Sequence, residues 1–507
     1  MSRDKVSWWI GTLVVLTLSG CSQRPPEPAQ TQISSPAPIV LSSESIASIK
    51  AFCSDCHALP IPSTFPKSRW PAEVMQCFRF YEESGRDDLV EPIRAQVIQY
   101  FQAEAPDEVA VPFANQLPSV PAPIQFRLAQ EYRAPVETPA TPYIGWDVPS
   151  RSLVYTNMQT GELLRWQRDA AGASDNPQLL AVGEYLCRAN RCDWNADGVD
   201  DFLLGEMGSF SVSDHDRGKV LLQLGGAAVA EPLILAEGLG RTVEAKPFDY
   251  DEDGDLDILV AEFGWHKTGS LRLLKNVGGT ANAPQFESVV IDPRHGVLAI
   301  EIADMNNDGK LDFVTFFAQE YESMEINTNR GHGSFERSVV HTLPDPSYNA
   351  SGLQVVDLDH DGRLDIVYTC GDVMDAFLAK PYHGVGWVRN LGDDRWEARW
   401  LGLLVGALAS TVADFDGDGD LDIAAVGMFP GAKVAPPGSY DSICWWEQQP
   451  DLNFVRHSIE RDLCSHTACT TGDVNEDGRI DLIVGEWMRP GESAFHVFLN
   501  EPAEPIP

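Results

Sequence analysis

One short acidic pattern recurs six times along this chain. The pattern is D-x-[DN]-x-D-G-x-x-D, and its copies begin at residues 193, 249, 304, 357, 414 and 473. The copies recur about every 55 residues, a spacing that indicates an internal structural repeat. A repeat of this kind builds one supersecondary unit per copy, and each unit buries its apolar face against its neighbours. The pattern therefore restricts the chain to a repeat architecture.

Each copy of the pattern introduces β-strand sequence. The second copy continues into LDILVAEF and the sixth into IDLIVGEW, and a further strand often follows about 20 residues later. Four strands per repeat are typical of a propeller blade. Residues 144–166 share the strand pattern and contain Asp147 but lack the acidic loop, so we interpret them as a first blade without metal. The sequence predicts seven blades, with a six-bladed ring as the alternative.

The ends of the propeller are expected to meet. The segment FHVFLN near the C-terminus has strand character. We expect it to share a blade with N-terminal strand residues, because this pairing closes the ring and hides its edge strands.

The oxygen-bearing residues of each copy have the spacing of a calcium loop. Positions 1, 3 and 5 converge because the loop curls, glycine at 6 permits the turn, position 7 offers a backbone carbonyl, and aspartate at 9 closes the cage. Many hard oxygen ligands in a flexible loop favour Ca²⁺ over Mg²⁺, so we expect up to six Ca²⁺ ions. The predicted ligands are Asp193, Asn195, Asp197 and Asp201; Asp249, Asp251, Asp253, Asp255 and Asp257; Asp304, Asn306, Asp308, Lys310 and Asp312; Asp357, Asp359, Asp361, Arg363 and Asp365; Asp414, Asp416, Asp418, Asp420 and Asp422; and Asp473, Asn475, Asp477, Arg479 and Asp481.

These repeats resemble the FG-GAP/VCBS family, whose calcium-loop blades also form the propellers of integrin α chains. The resemblance covers about residues 125–501. It implies a β-propeller in which calcium has a structural role.

A different motif lies near the N-terminus. The stretch KAFCSDCHALP contains C-x-x-C-H, formed by Cys53, Cys56 and His57. Two thiols at this spacing on one helical turn can each meet a haem vinyl group, and the next histidine can bind the iron. A zinc site would need further ligands, of which only Cys77 is near in sequence, and a redox disulfide has no use for the histidine. The motif resembles that of small c-type cytochrome domains, which implies one covalent haem c.

Three short helices are predicted around this motif. The first carries the motif, with Ser43 available as its N-cap, the second begins near Trp70, and the third covers about residues 89–101. Within this segment His57 is the one histidine and Met75 the one methionine. Met75 is therefore the predicted sixth ligand of the haem iron. The alternatives are that Met75 packs in the core and the iron is five-coordinate, or that another group binds it.

The first residues determine the compartment. Arg3 and Lys5 precede a short apolar run, and residues 18–21 are LSGC, which resembles the bacterial lipobox. The resemblance implies that Cys21 is lipidated and that the protein is exported and anchored at a bacterial membrane, periplasmic or on the cell surface. Ser22, which follows the cysteine, favours the outer membrane. An ordinary secretory signal is the alternative.

The chain is therefore interpreted as mainly β, with a seven-bladed propeller preceded by a small all-α cytochrome c-like domain. The predicted parts are a signal peptide with lipobox (1–21), a Pro/Ser-rich tether (22–42), the cytochrome domain (43–104), a Pro-rich linker (105–124), the propeller (125–501) and a tail (502–507).

Charge and cysteine content limit the partners and the covalent links. The formal net charge of −38 makes nucleic acid an unsuitable partner. Because an exported protein tolerates disulfides, the pairs Cys187/Cys192 and Cys464/Cys469 are expected to be bridged, with free buried thiols as the alternative.

A ligand site is considered at the channel mouth of the propeller. Equivalent positions in the strands after the six loops hold Glu206, Glu262, Phe317, Cys370, Gly427 and Glu486. If these strands are innermost, three carboxylates meet near one mouth. The polar and aromatic residues expected nearby are Trp265, His266, Tyr382, His383, Met428, Tyr440, Trp487 and Arg489. Such a mouth suits a sugar or another small polar ligand, and a polysaccharide is a possible partner. Structural ion pairs are the alternative.

The sequence thus predicts a lipid-anchored mono-haem cytochrome that carries electrons to or from a redox partner protein. It is fused to a calcium-stabilised propeller that binds a partner or ligand. One alternative is a haem-linked oxidoreductase that acts on a sugar or another small polar substrate in the propeller. The other is a calcium-dependent adhesion propeller with an ancillary haem.

Overall fold

The computed structural model describes residues 41–118, 120–130, 132–168, 177–226, 231–374 and 377–503. The predicted signal peptide, the lipidated Cys21, nearly all of the tether and most of the tail lie outside the described residues. No helix among the described residues has both the length and the apolar character needed to cross a membrane.

Seven four-stranded antiparallel sheets form the propeller. The first four sheets are β2 (Ile144–Asp147), β3 (Ser152–Asn157), β4 (Glu162–Gln167) and β5 (Gln178–Val182); β6 (Leu186–Cys192), β7 (Asp201–Glu206), β8 (Gly218–Gln223) and β9 (Leu233–Leu239); β10 (Thr242–Phe248), β11 (Asp257–Glu262), β12 (Ser270–Thr280) and β13 (Ala283–Asp292); and β14 (Val297–Ala303), β15 (Asp312–Phe317), β16 (Ser323–Gly331) and β17 (Ser334–Thr342). The others are β18 (Ala350–Val356), β19 (Asp365–Cys370), β20 (Gly384–Asn390) and β21 (Trp396–Leu403); β22 (Ala407–Ala413), β23 (Asp422–Gly427), β24 (Asp441–Gln448) and β25 (Phe454–Arg461); and β26 (His466–Gly472), β27 (Asp481–Glu486) and β28 (Phe495–Pro502) with β1 (Ile124–Ala129).

The seventh sheet closes the ring. Its strand order is β26, β27, β28 and β1, and β1 pairs antiparallel with β28 from Ile124 opposite Pro502 to Ala129 opposite Val497. The prediction that the C-terminal strand FHVFLN shares a blade with N-terminal residues is confirmed. Joining the two ends of the repeat array in one sheet removes the free edges that an open array would have.

The first sheet is the predicted blade without an acidic loop. Its first two strands are joined by a tight turn in which Asp147 accepts a hydrogen bond from the Ser150 backbone N–H at 3.2 Å and forms an ion pair with Arg191. The positive charge at this turn is therefore the guanidinium of Arg191, which belongs to the next blade. The seven-blade prediction is confirmed, and the six-blade alternative is wrong.

The strand after each acidic loop is second from the centre, not innermost. In the third sheet, β10 precedes the loop and contacts β6 and β14 of the neighbouring sheets, while β11 follows the loop and pairs with β10 and β12. Every residue of β11 is buried, as it is in β7, β15, β19, β23 and β27. The prediction of innermost strands is wrong because a continuous apolar run indicates burial on both faces, which the second strand also has.

Three α-helices precede the propeller in the part of the chain that the structure describes. They are α1 (Ser43–Cys53), α2 (Trp70–Ser84) and α3 (Arg94–Glu104). Ser42, rather than the expected Ser43, caps α1, because its Oγ accepts the Ser45 backbone N–H at 3.0 Å. α3 begins later than predicted, since a residue before proline avoids the helical region and Pro92 follows Glu91.

The helices and the propeller touch through specific side chains. The Ile61 backbone N–H donates to Asp345 Oδ2 at 2.9 Å, and Lys380 Nζ lies 4.3 Å from the centre of the Phe65 ring. The predicted linker also lies on the propeller, where the Ala114 N–H donates to Ser439 O at 2.7 Å. These contacts fix the helices against one end of the propeller.

The cysteines of the described residues are all free. Cys187 and Cys192 lie on the same strand, β6, where five residues of extended chain span about 16 Å, far beyond the reach of a disulfide. Cys469 lies on β26, and Cys464 comes just before that strand and contacts Ser442 instead. The two expected disulfides are therefore wrong, and buried thiols, the alternative, are found.

Candidate functional site

The C-x-x-C-H motif lies where α1 ends. Cys53 is the last helical residue and is buried, whereas Cys56 and His57 follow in a non-helical turn. The prediction that both thiols lie on one helical turn is therefore wrong. Because Ser54 donates its backbone N–H to Lys50 O and closes the helix, the chain changes direction between the two thiols.

The His57 ring is oriented by a local hydrogen bond. Its Nδ1 lies 2.7 Å from Ala58 O, so Nδ1 carries the proton in this arrangement. A carbonyl on Nδ1 leaves the lone pair on Nε2, which is the usual arrangement for a metal-binding histidine.

One large cavity contains the motif. It has a volume of about 900 Å³ and is lined by Cys53, Cys56 and His57. This volume is near the upper end of the range for cofactor sites, roughly 300–1,000 Å³. Its helical wall is mainly aromatic and includes Phe52, Phe65, Trp70, Phe78, Phe80, Tyr81 and Phe101. The other wall belongs to the propeller, so the cavity lies between the two parts.

Met75 does not reach this cavity. Its side chain is 45% exposed, and it is not among the lining residues, although Val74 and Cys77 of the same helix are. Val74 and Phe78 are one helical turn apart and face the core, which turns Met75 away from it. The structure therefore does not bring together the predicted axial pair, His57 and Met75.

Four other methionines and two histidines line the cavity from the propeller side. Sequence reasoning predicted His266 and Met428 at the channel mouth but none of the six as a haem ligand, because all of them lie far along the chain from the motif. They are Met158, Met207, Met374, Met428, His266 and His295.

A third thiol shares the helical wall. Burial, and secondarily Cys77, raises the pKa of Cys53 to about 12, while burial, and then Cys56, raises the pKa of Cys77 to about 11. Among the described residues, the groups that bring three carboxylate, imidazole or thiol ligand atoms within 4.8 Å all lie in the aspartate loops. The three thiols and His57 are thus not gathered into a compact zinc cage.

A histidine and a carboxylate form the propeller wall next to α2. The His266 ring lies 3.9 Å from the Phe80 ring, and its Nδ1 is 3.6 Å from Glu320 Oε1. His295 Nε2 contacts the other oxygen of Glu320 at 2.5 Å. Burial alone would raise the pKa of Glu320, but the two histidines outweigh it and lower this pKa to about 2.

The cavity continues from the motif into the central channel. Inner strands contribute a charged group in which Arg188 lies 3.1 Å from Glu244, and Lys246 lies 3.2 Å from Glu301. Burial raises the pKa of Glu301, whereas Lys246 and Arg188 outweigh burial at Glu244 and lower its pKa. The deep end of the cavity is therefore polar and the end near the motif is apolar.

The three glutamates predicted to meet at the channel do not meet. Glu206 accepts from Lys219, Glu262 from Ser270 and Arg272, and Glu486 is paired with Arg489 and His496. None of them lines the cavity. The structural alternative therefore holds for these carboxylates, because they lie on second strands and pair with groups close by in the fold.

The polar and aromatic residues expected at the mouth divide into two sets. Trp265, His266, Met428 and Trp487 line the cavity. Tyr382 stacks on Tyr348, Tyr440 packs on Phe429, Arg489 pairs with Glu486, and His383 is fully buried.

The six acidic loops share one conformation. In the second loop, Asp249 accepts the backbone N–H groups of Asp253 and Gly254 at 3.1 and 3.2 Å. The glycine at position 6 has positive φ in every copy, for example 95° at Gly254, so a side chain there would be strained. Three carboxylates approach within 4.8 Å of one another in the loops that start at residues 249, 357 and 414. These are the three loops with aspartate, rather than asparagine, at position 3.

The aspartate at position 9 ties the loop to the sheet. Asp312 accepts the backbone N–H of Met305 in the loop at 2.9 Å and that of Asn329 on the third strand at 2.7 Å. The corresponding aspartates of four other loops make the same two bonds, and Asp201 accepts the backbone N–H groups of Trp194 in its loop and of Gly225 just beyond the third strand. This residue therefore has a role in joining strands, in addition to any role as a cation ligand.

Comparison with known proteins agrees with the repeat. Residues 249–315 and 304–368 match the FG-GAP-like repeat. No curated protein matches the sequence. Among solved structures, the chain is similar to the crystal structure of BBS1N in complex with ARL6DN, soaked with lead, at a TM-score of 0.41 and 11% identity, covering 76% of this chain and 98% of that chain. The chain thus contains FG-GAP-like repeats within a seven-bladed β-propeller.

Proposed function

We propose that the protein is an exported, lipid-anchored mono-haem c-type cytochrome that carries electrons to or from a redox partner and holds its haem against a calcium-stabilised binding propeller. The observation that carries the proposal is the position of Cys53, Cys56 and His57. All three line one cavity of about 900 Å³ whose helical wall is aromatic. A large apolar macrocycle needs such a wall.

The residues present fit a covalent haem. Cys53 and Cys56 would form the two thioether bonds, and His57 would offer Nε2 to the iron while its Nδ1 remains bonded to Ala58 O. Haem, when bound, supplies one-electron transfer. Phe52, Phe78 and the neighbouring aromatic rings would exclude water from the macrocycle.

The propeller would be stabilised by calcium. Three carboxylates approach within 4.8 Å of one another in the loops that start at residues 249, 357 and 414, and positive φ at position 6 keeps all six loops curled. In the third blade the acidic loop leads into β11 at Asp257, whereas the cavity-lining residues Phe263 and Trp265 follow the other end of this strand. Calcium would therefore stabilise the propeller without entering the haem site.

The proposed export and lipid anchor rest on the sequence alone. The LSGC segment ending at Cys21 supports them. Export is also required for the haem, because c-type attachment takes place outside the cytoplasm.

The test is a haem count on the chain without its anchor, produced in a host that matures c-type haem. We expect one covalent haem per chain by pyridine haemochrome assay and mass spectrometry. The double variant Cys53→Ser/Cys56→Ser should carry none, whereas the matched control Cys77→Ser should keep it. A wild-type chain without covalent haem would contradict the proposal and leave a calcium-dependent binding propeller.

Electron exchange separates a carrier from an ancillary haem. The reduced protein should be oxidised by a soluble cytochrome in a stopped-flow mixture. If the haem is present but exchanges no electrons with cytochrome partners or small mediators, the adhesion alternative is favoured.

A second candidate is a haem-linked oxidoreductase. The charged group around Glu244, Lys246 and Glu301 favours it, because the same cavity that contains the motif reaches these residues. A sugar bound there would lie in a space continuous with the haem site. Anaerobic incubation with candidate sugars should then reduce the haem, and Glu301→Gln should slow this reduction while leaving the haem content unchanged.

A further inference from the structure

His266 is the propeller side chain that most resembles an iron ligand. It lies on the loop after β11, lines the same cavity as Cys53, Cys56 and His57, and contacts α2 through the Phe80 ring at 3.9 Å. The Trp265 ring also contacts it, at 4.2 Å between ring centres. Two aromatic neighbours therefore restrict the rotation of this imidazole within the cavity.

The two nitrogens of this ring have different surroundings. Nδ1 faces Glu320 Oε1 at 3.6 Å. Nε2 is buried and has no hydrogen-bond partner among the described residues. A buried polar atom without a partner is costly, and a histidine with a carboxylate on one nitrogen commonly offers the other to a metal.

Glu320 lies in the same cavity as the motif. Glu320 and the next residue, Tyr321, line this cavity together with Cys56. His266, whose Nδ1 faces Glu320, is therefore on the propeller wall of the cavity that contains the thiols that would attach the haem.

Apart from Met428, the other methionines and the second histidine are less suitable than His266. Met75 is exposed outside the cavity, and Met158 and Met207 belong to a hydrophobic core of the propeller. Met374 is also exposed, at 41%. His295 already uses its Nε2 in the short contact to Glu320.

We infer that His266 Nε2, rather than Met75 Sδ, is the sixth ligand of the haem iron, so that the propeller completes the coordination begun by His57 in the helical part. This inference rests on the proposed function. It predicts a bis-histidine, low-spin haem with a lower reduction potential than a histidine/methionine pair would give. The haem would then hold the two parts of the protein together.

The test compares spectra of three variants with the wild-type chain, each shown to carry one covalent haem. His266→Ala should become high-spin by magnetic circular dichroism and electron paramagnetic resonance, and added imidazole should restore the low-spin signal. His266→Met should stay low-spin, gain the weak long-wavelength band of methionine ligation and show a higher potential. Met75→Leu, the control, should have the wild-type spectrum.

The outcomes distinguish this inference from the proposed function. Covalent haem with an unchanged His266→Ala spectrum, or a low-spin signal lost in Met75→Leu, would overturn the assignment of His266 and leave the cytochrome proposal intact. A wild-type chain without covalent haem would overturn both. If His266→Ala does not fold, the spectrum and reduction potential of His266→Met still test whether residue 266 binds the iron.

Discussion

The helical part and the propeller solve the problem of a stable core in different ways. In the helical part, residues such as Phe52, Trp70, Val74 and Phe78 are core residues and cavity-lining residues at the same time. In the propeller, strands such as β15 are buried along their whole length between neighbouring sheets. The helical core is therefore open on one side, and the blade cores are closed.

The difference indicates what each part depends on. A segment of about 60 residues is too short to build a large core without a covalent staple, a metal or a cofactor. The propeller instead repeats its own connections, with a position-9 aspartate joining loop and third strand in five of the six acidic copies. We expect the helices to depend on haem and the blades on their aspartate loops.

Chelation should give the largest effect and sharpen this comparison. Removing cations with EDTA should lower the melting temperature of the propeller by at least about 10 °C, since each bound ion stabilises the folded state by roughly 2–4 kcal/mol when well above its dissociation constant. The covalent haem spectrum should persist to the same temperature as before. Calorimetry with parallel absorbance at the Soret band measures both.

Back-titration controls this experiment. Added Ca²⁺ should restore the propeller transition, whereas added Mg²⁺ should restore less, because Mg²⁺ demands a regular octahedral set of ligands. A propeller transition unchanged by EDTA would contradict the six predicted calcium sites, whatever the haem content.

The sequence predicted the propeller better than the cavity, for physical reasons. The spacing of residues such as Asp249 and Gly254 is local, so the loop, the following strand and the blade count follow from short-range rules. Which strand is innermost depends on packing between blades, and a buried run such as β11 is compatible with either place. A buried apolar run alone therefore does not predict whether its strand is the first or the second from the centre of the propeller.

The sequence predicts only part of the candidate haem site, for a similar reason. Cys53, Cys56 and His57 form a contiguous motif, whereas His266 approaches them only because the ring brings the loop after β11 against α2. Met75 is the predicted ligand because it is close in sequence, but the helix turns it outward. Long-range proximity leaves no periodic signal, so the sequence predicts Trp265 and His266 near the channel mouth without relating them to the haem motif.

A single position-9 substitution should have an intermediate effect confined to the propeller. Asp312→Ala removes the acceptor for two buried backbone N–H groups, so we expect a loss of about 3 kcal/mol in the free energy of unfolding. The exposed Asp308→Ala in the same loop removes a predicted cation ligand but neither of those bonds. In EDTA, therefore, Asp308→Ala should match the wild type and Asp312→Ala should not. If Asp312→Ala also had the wild-type free energy of unfolding in EDTA, the bonds from Asp312 to the loop and the third strand would contribute little to stability.

The smallest effect concerns His383, close to where the two parts meet. Burial, and then the charge of Lys380, lowers the pKa of His383 to about 3, and Lys380 itself packs on Phe65 of the helical part. Above pH 6.5 the imidazole is neutral in both the folded and the unfolded chain, so its contribution is constant. As the pH falls below 6.5, the unfolded chain binds a proton that the folded chain refuses, and stability is lost until the pH reaches about 3.

At pH 5 this linkage should cost about 2 kcal/mol relative to pH 7.5. Denaturant unfolding at both pH values should show a smaller loss in His383→Gln than in the wild type, by about that amount. His332→Asn, a change at an exposed turn, should lose as much as the wild type. If His383→Gln has the same pH dependence of unfolding as the wild type, then protonation of His383 does not cause the loss of stability in acid.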